Sequence, residues 1–175
     1  MEKKFVSLVV YLNNDGNAVE DFFDKVATCI KDNFEQFEIV CVDDACEDDT
    51  VARVREYVKG TDFEQKVSIL HMGFYQGVET SMNAGSDIAI GDFVSEFDTV
   101  RADYEPQLIM DIYNKLLEGY DIVSASPDKA HKWTSSIFYR LYNMSRRGNG
   151  HIGTETFRIL SRRAINRIKS MGLYI

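Results

Sequence analysis

The residues best placed to do chemistry in this chain are acids that stand where apolar runs stop: Val42-Asp43-Asp44 and Phe97-Asp98. Asn13 and Asp15 follow a third such run, Phe5 to Val10. Carboxylates in these places can accept hydrogen bonds from a base or ribose, and can hold a divalent cation that neutralises a diphosphate. In an open α/β sheet the carboxyl ends of parallel strands form the ligand crevice, so acids at several such ends point into one site. The competing reading for Asp43, Asp44 and Asp48 is helix capping and turn formation. No Gly-x-Gly-x-x-Gly follows the first strand and no Gly-x-x-x-x-Gly-Lys occurs anywhere, which removes dinucleotide and P-loop chemistry. His71, His131 and His151 have no spacing that makes a zinc site or a triad, and Cys29, Cys41 and Cys46 form no Cys-x-x-Cys pair.

The elements that must position these acids can be read from periodicity. Strands are predicted over 5–10, 37–42, 67–70, 93–97, 121–125 and 156–160. Between them, Val19, Phe22, Phe23, Val26 and Ile30 keep helical spacing, and Asp48 or Asp49 can cap a helix running to Lys59. Gly77 to Ala89 reads as a small-residue helix, and Pro106 opens one whose face is Ile109, Ile112, Tyr113 and Leu116. A helix through Phe138, Leu141 and Met144 and a basic helix from Arg162 are expected towards the end. Alternation of strands and helices predicts an α/β fold with a mostly parallel central sheet flanked by helices.

The chain of 175 residues is 45% hydrophobic and 27% charged with two prolines, and we read residues 1–175 as one domain. No apolar run approaches a membrane span and no signal peptide is recognisable, so a cytoplasmic location is expected. The apolar end, Met171 to Ile175, carries no stop signal and reads as a C-terminal truncation. The net charge of −8 is unevenly spread: residues 1–128 hold 10 Lys and Arg against 27 Asp and Glu, whereas residues 129–175 hold 10 against Glu155 alone. This basic part suits either an anionic partner or neutralisation of the acidic body. Trp133, Phe138, Tyr139 and Tyr142, interleaved with Lys132 and Arg140, read as an amphipathic helix packed on the sheet or lying on a membrane surface.

The run VDDACEDDT is similar to the Val-Asp-Asp-Gly-Ser-x-Asp-x-Thr motif of family 2 glycosyltransferases with the GT-A fold. Gly77, Asn83, Gly85, Ala89, Gly91, Asp92 and Asp98 follow that family's next block, and SLVVYLNND resembles its opening strand and loop. GYDIVSAS and TFRILSRR resemble the polyprenyl/dolichol-phosphate sugar transferase subgroup. The resemblance implies a GT-A-like layered fold. It makes Asn13 and Asp15 part of the nucleotide pocket together with Asn83, and has Asp43 and Asp44 holding base and ribose. It makes Asp98 the carboxylate for a divalent cation, Mg or Mn, and for the diphosphate, and Arg158 an arginine facing phosphate.

The activity implied is inverting transfer of a hexose from a nucleotide-diphosphate sugar to a polyprenyl phosphate or a glycan hydroxyl, as in cell wall or polysaccharide biosynthesis. It implies no nucleic acid partner, and a location peripheral to the inner membrane face fits the basic C-terminal part. Departures from the family pattern are Val100, where the second acid of an Asp-x-Asp clasp belongs, Tyr11 for a proline, Phe74 for an asparagine and Pro127 for an arginine. Asp103 or Glu105 would have to supply a second ligand. The alternative is a catalytically degenerate module that binds a nucleotide sugar or glycan. A phospho-acceptor receiver would need its acid pair after the first strand and a lysine after the fifth, and has neither.

Overall fold

The computed structural model describes residues 1–126, 138–141 and 157–171. The strands are β1 (Glu2–Leu12), β2 (Phe34–Asp43), β3 (Val67–His71), β4 (Phe93–Phe97), β5 (Ile122–Ser126), β6 (Phe138–Leu141) and β7 (Phe157–Ser161). Helices α1 (Val19–Phe22) and α2 (Thr28–Asn33) are joined by a π-helical turn, Phe23–Ala27; α3 (Thr50–Val58), α4 (Val78–Ile88), α5 (Gln107–Leu117) and α6 (Arg162–Ser170) follow. The seven strands form one sheet in the order β3-β2-β1-β4-β7-β5-β6. β1 pairs in parallel with β2 and β4, and β2 with β3, whereas β7 lies antiparallel between β4 and β5.

β1 shows why the sheet is covered on both sides. Leu8, Val10 and Leu12 face the layer of Phe22, Phe23, Val26, Ile30, Ile109 and Tyr113, while Val9 and Tyr11 face Met82 of α4 and Ile165 of α6. An unbroken apolar strand is what two covered faces require. Helix α4 lies close against the sheet: a Cβ at Gly85 would meet Val9 Cγ1 at 2.4 Å and Val42 Cγ2 at 2.6 Å. The small residues of that helix are therefore a packing requirement.

From β1 the chain steps outward to β2 and β3, then returns to the other side of β1 as β4. The topological switch thus falls between β1 and β4, where open α/β sheets hold ligands. Register sets the level of the acids. Leu12 stands opposite Asp43, and Val10 opposite Phe97, so Asp98 leaves β4 about level with Tyr11.

One element differs from expectation. The span through Phe138 and Leu141 is strand β6, antiparallel to β5, in place of a helix. Four residues containing two aromatics fit either period, and a free sheet edge with aromatic strand preference decides the matter. Pro127, Lys132, Trp133, Tyr142, Met144, His131, His151, Glu155 and the end beyond Met171 lie outside the described residues. Among the described residues no helix is long and apolar enough to cross a membrane.

Candidate functional site

At the end of β1, Asn13 donates through Nδ2 to the Asp44 carbonyl at 3.1 Å. Asn14 adopts a left-handed conformation with φ of 55°, which asparagine tolerates. Its Oδ1 accepts from the backbone N–H of Glu47 at 2.8 Å and of Asp48 at 3.2 Å. Asp15 accepts from Arg101 Nε at 3.1 Å. The loop after β1 is thereby laced both to the loop after β2 and to the segment after β4.

The two consecutive acids diverge because successive strand residues point to opposite faces. Asp43 lies on the Cys46 side: its Oδ1 accepts from Cys46 N at 2.9 Å, and its Oδ2 contacts His71 Nδ1 at 2.7 Å. Burial pushes the Asp43 carboxyl up, but the hydrogen bonds from Cys46 and His71 outweigh it, and the net position is below the ordinary carboxylate value. Asp44 is fully buried. Its carboxylate accepts from Gln76 N at 2.7 Å, Gly77 N at 2.8 Å and Tyr11 Oη at 2.8 Å. Asp44 therefore ties the β3–α4 loop to β1. Tyr11, where the family pattern has a proline, is one of its three donors. Burial, then the hydrogen bond to Asp44, pushes the Tyr11 phenol up. Asp48 accepts from Thr50 N at 2.9 Å and Gly16 N at 3.3 Å, so the turn role expected of it is realised.

Asp98 leaves the end of β4, and Val100 turns into the apolar core at 2% exposure. A carboxylate in the conformation of Val100 would point away from the crevice. Asn83 sits within α4, where its Nδ2 donates to the Glu79 carbonyl. Arg158 in β7 lies opposite Glu96. Its Nε donates to the buried Glu96 Oε2 at 2.5 Å, while Ser86 Oγ donates to Glu96 Oε1 at 2.5 Å. Arg158 thus has the buried Glu96 as an ion-pair partner.

The basic helix α6 is bound to the acidic body. Arg163 pairs with Asp121, Lys169 pairs with Asp87, and Arg162 donates to the Ala89 and Gly91 carbonyls. Sequence reasoning missed Asn14, His71, Glu96 and Arg101 as members of this region. An Asn-Asn-Asp-Gly turn signals a left-handed residue for Asn14, whereas the other three follow no spacing rule.

The chemistry of the donor set bears on the divalent cation. Among the described residues, no three or more His, Cys, Asp or Glu side chains gather into a group that could hold a metal. A hard cation shared with a diphosphate requires only one or two carboxylates from the protein. Asp98 at a strand end fits that smaller demand.

A mostly parallel sheet switching direction at β1 and β4, with acids at the ends of β1, β2 and β4, defines a layered α/β protein with an acidic crevice at the carboxyl ends of its strands. The sequence profile of Glycosyl transferase family 2 matches residues 8–169, and the chain belongs to that family. It is 26% identical over 172 residues to the uncharacterized glycosyltransferase sll0501 of Synechocystis sp., covering 95% of this chain and 53% of the relative.

Among solved structures the mannosyltransferase PcManGT from Pyrobaculum calidifontis, in complex with GDP-Man and Mn2+, superposes with a TM-score of 0.73 at 16% identity. That match covers 96% of this chain and 47% of the other. TarS residues 1–349 of S. aureus, in complex with UDP-GlcNAc, superposes with a TM-score of 0.62 at 16% identity over 98% of this chain and 48% of the other. These likenesses show the GT-A glycosyltransferase fold. The chain spans about half the length of the curated relatives it matches.

Proposed function

We propose that this chain carries the donor-binding half of a glycosyltransferase that takes a sugar from a nucleoside diphosphate and passes it to a polyprenyl phosphate or a glycan hydroxyl. The observation that carries this reading is the placing of Asp15, Asp43 and Asp98 at the carboxyl ends of three adjacent strands in a family 2 chain. Asp43 would read the base, Asn13 and Asp15 would line the nucleotide pocket with Asn83 beside it, and Asp44 would hold the surrounding loop in place. Solved relatives by fold carry GDP-Man with Mn2+ or UDP-GlcNAc, which supports a nucleotide-sugar donor and a divalent cation.

Asp98 would be the carboxylate that holds the cation, whose chemistry is to neutralise the diphosphate charge. Arg158, its Nε tied to Glu96, would present its Nη groups to phosphate. The acceptor oxygen attacks the anomeric carbon, the glycosidic bond to the diphosphate breaks with its electron pair, and the configuration inverts. A phosphate acceptor is already ionised, so positioning and charge neutralisation suffice without a strong base. A location at the cytoplasmic membrane face follows from a lipid acceptor.

The burial of Val100 favours a second reading, a module that binds the donor without turnover. Calorimetric titration with UDP-hexose and GDP-mannose, with and without manganese, followed by transfer of labelled sugar to a polyprenyl phosphate, tests both. Binding with transfer supports the enzyme, and binding alone the module. No binding of any nucleotide sugar sinks both. Asp98→Asn is expected to lose the manganese-dependent part of donor binding.

A further inference from the structure

The ends of β2 and β3 are neighbours in register, with Asp43 opposite His71, and their side chains form a directed chain of hydrogen bonds. His71 Nδ1 lies 2.7 Å from Asp43 Oδ2, and His71 Nε2 lies 3.1 Å from Arg55 Nη2 on α3. A guanidinium has only donors. Nε2 must therefore be the acceptor, the ring proton sits on Nδ1, and Nδ1–H donates to Asp43. The other carboxylate oxygen takes the Cys46 N–H. Both oxygens of Asp43 are thus oriented by donors, and the group remains an acceptor for whatever meets it. The Asp43 side chain is 10% exposed and that of His71 49%, so a ligand that reaches the carboxylate passes beside the imidazole.

We propose that His71, held by Arg55, is the positioning residue that fixes Asp43 as acceptor for the ring N–H of a uracil or guanine base, and so sets which nucleoside diphosphate the crevice takes. The proposal rests on the reading of Asp43 as the base-binding acid. Uracil and guanine carry a hydrogen on the ring nitrogen of their pairing edge, whereas cytosine and adenine carry a lone pair there. An acceptor-only carboxylate satisfies the first kind and is left facing a lone pair by the second. Were the ring proton on Nε2, the Nδ1 lone pair would face Asp43 and the carboxylate would lose a donor. Arg55 disfavours that tautomer.

Titration calorimetry of the full chain with UDP, GDP, CDP and ADP, each with manganese, tests this. The wild type is expected to bind UDP or GDP about tenfold or more tightly than CDP and ADP. The two favoured arms tell uracil from guanine. His71→Leu is expected to cut that preference to within about threefold, and His71→Asn, whose amide Nδ2 can replace Nδ1 as donor, to restore it. An unchanged preference in His71→Leu overturns the role of His71, as does an equal loss in both variants. A wild type with no preference for UDP or GDP over CDP and ADP overturns it too. Melting curves report whether each variant folds. Should the His71 variants not fold, Arg55→Met is expected to reduce the preference by about threefold, and no reduction there overturns the proposal. Failure of the wild type to bind any of the four overturns the base-site reading of Asp43 itself.

Discussion

Two adjacent acids with the same side chain answer to different demands here. Asp43 keeps only a sliver of exposure at the crevice wall, while Asp44 is closed in and satisfies three donors from β1 and the β3–α4 loop. Asp44→Ala strands those donors, and a loss of about 3 kcal/mol or more in unfolding free energy is expected from urea titration. A variant with an unchanged midpoint but weaker nucleotide binding would show that Asp44 contacts the ligand instead. Val100→Asp makes the complementary case. With its side chain in the core beside the apolar layer, a carboxylate there is buried without a partner and is expected to cost several kcal/mol. A Val100→Asp protein that melts as the wild type does and binds manganese about tenfold more tightly would show that the segment after β4 re-aims this residue into the crevice.

The positions of these acids were legible because each ends an apolar run. Their division of labour was not, since it depends on which face of the sheet each residue meets and on distant donors such as Tyr11 and His71.

Among the elements, β7 changes how Arg158 must be tested. The strand brings Arg158 opposite Glu96 on the inner strand β4, and Glu96 is only 3% exposed. Arg158→Ala leaves a buried carboxylate without its cation, a change that costs about 3–5 kcal/mol when the pair is buried and less here because Arg158 is partly exposed. Lost transfer in that variant would therefore be ambiguous. The double variant Arg158→Ala/Glu96→Gln removes the stranded charge and is expected to recover much of the stability. If transfer stays absent while the melting point returns, Arg158 acts on phosphate; if transfer returns with stability, its role is to hold β7 against β4.

The parallel core and helices α3 to α6 could be read from periodicity, with boundaries shifted by a few residues at most. The antiparallel insertion of β7 and the strand β6 could not. Short strands pair according to where the sheet has an open side, which local sequence does not record.

For the molecule as a whole, stability against pH follows from groups on both sides of neutrality. Asp43, Asp48 and Asp121 all lie below the ordinary carboxylate value of 3.8. For Asp43 and Asp121 burial acts upward and is outweighed by donors, Cys46 and His71 in one case, Ser161 and Arg163 in the other; for Asp48 the Thr50 hydroxyl leads. The unfolded chain takes up protons on these groups before the folded one does. Their contribution is present above 3.8 and is lost as pH falls through the lower folded values.

Burial acts in the opposite sense on the thiols of Cys41 and Cys46, pushed from 9.0 up to about 12. The phenols of Tyr57 and Tyr113 rise from 10.0 to about 12, again chiefly through burial. These groups stay neutral in the fold, so their contribution is full below pH 9 and declines as pH rises towards 12. Urea midpoints measured from pH 3 to 11 are expected to show a plateau between about 4 and 9 with a fall on either side. Cys41→Ala/Cys46→Ala should flatten the alkaline fall, since the thiols titrate first in the unfolded chain. An alkaline limb unchanged by that double substitution would assign the loss to the tyrosines. The Asp48 contact joins the loops after β1 and β2, the Asp43 contact joins the ends of β2 and β3, and the Asp121 contact holds Ser161 at the start of α6. Acid is therefore expected to loosen the crevice wall and α6 together, read as loss of amide-exchange protection in both regions at the same pH.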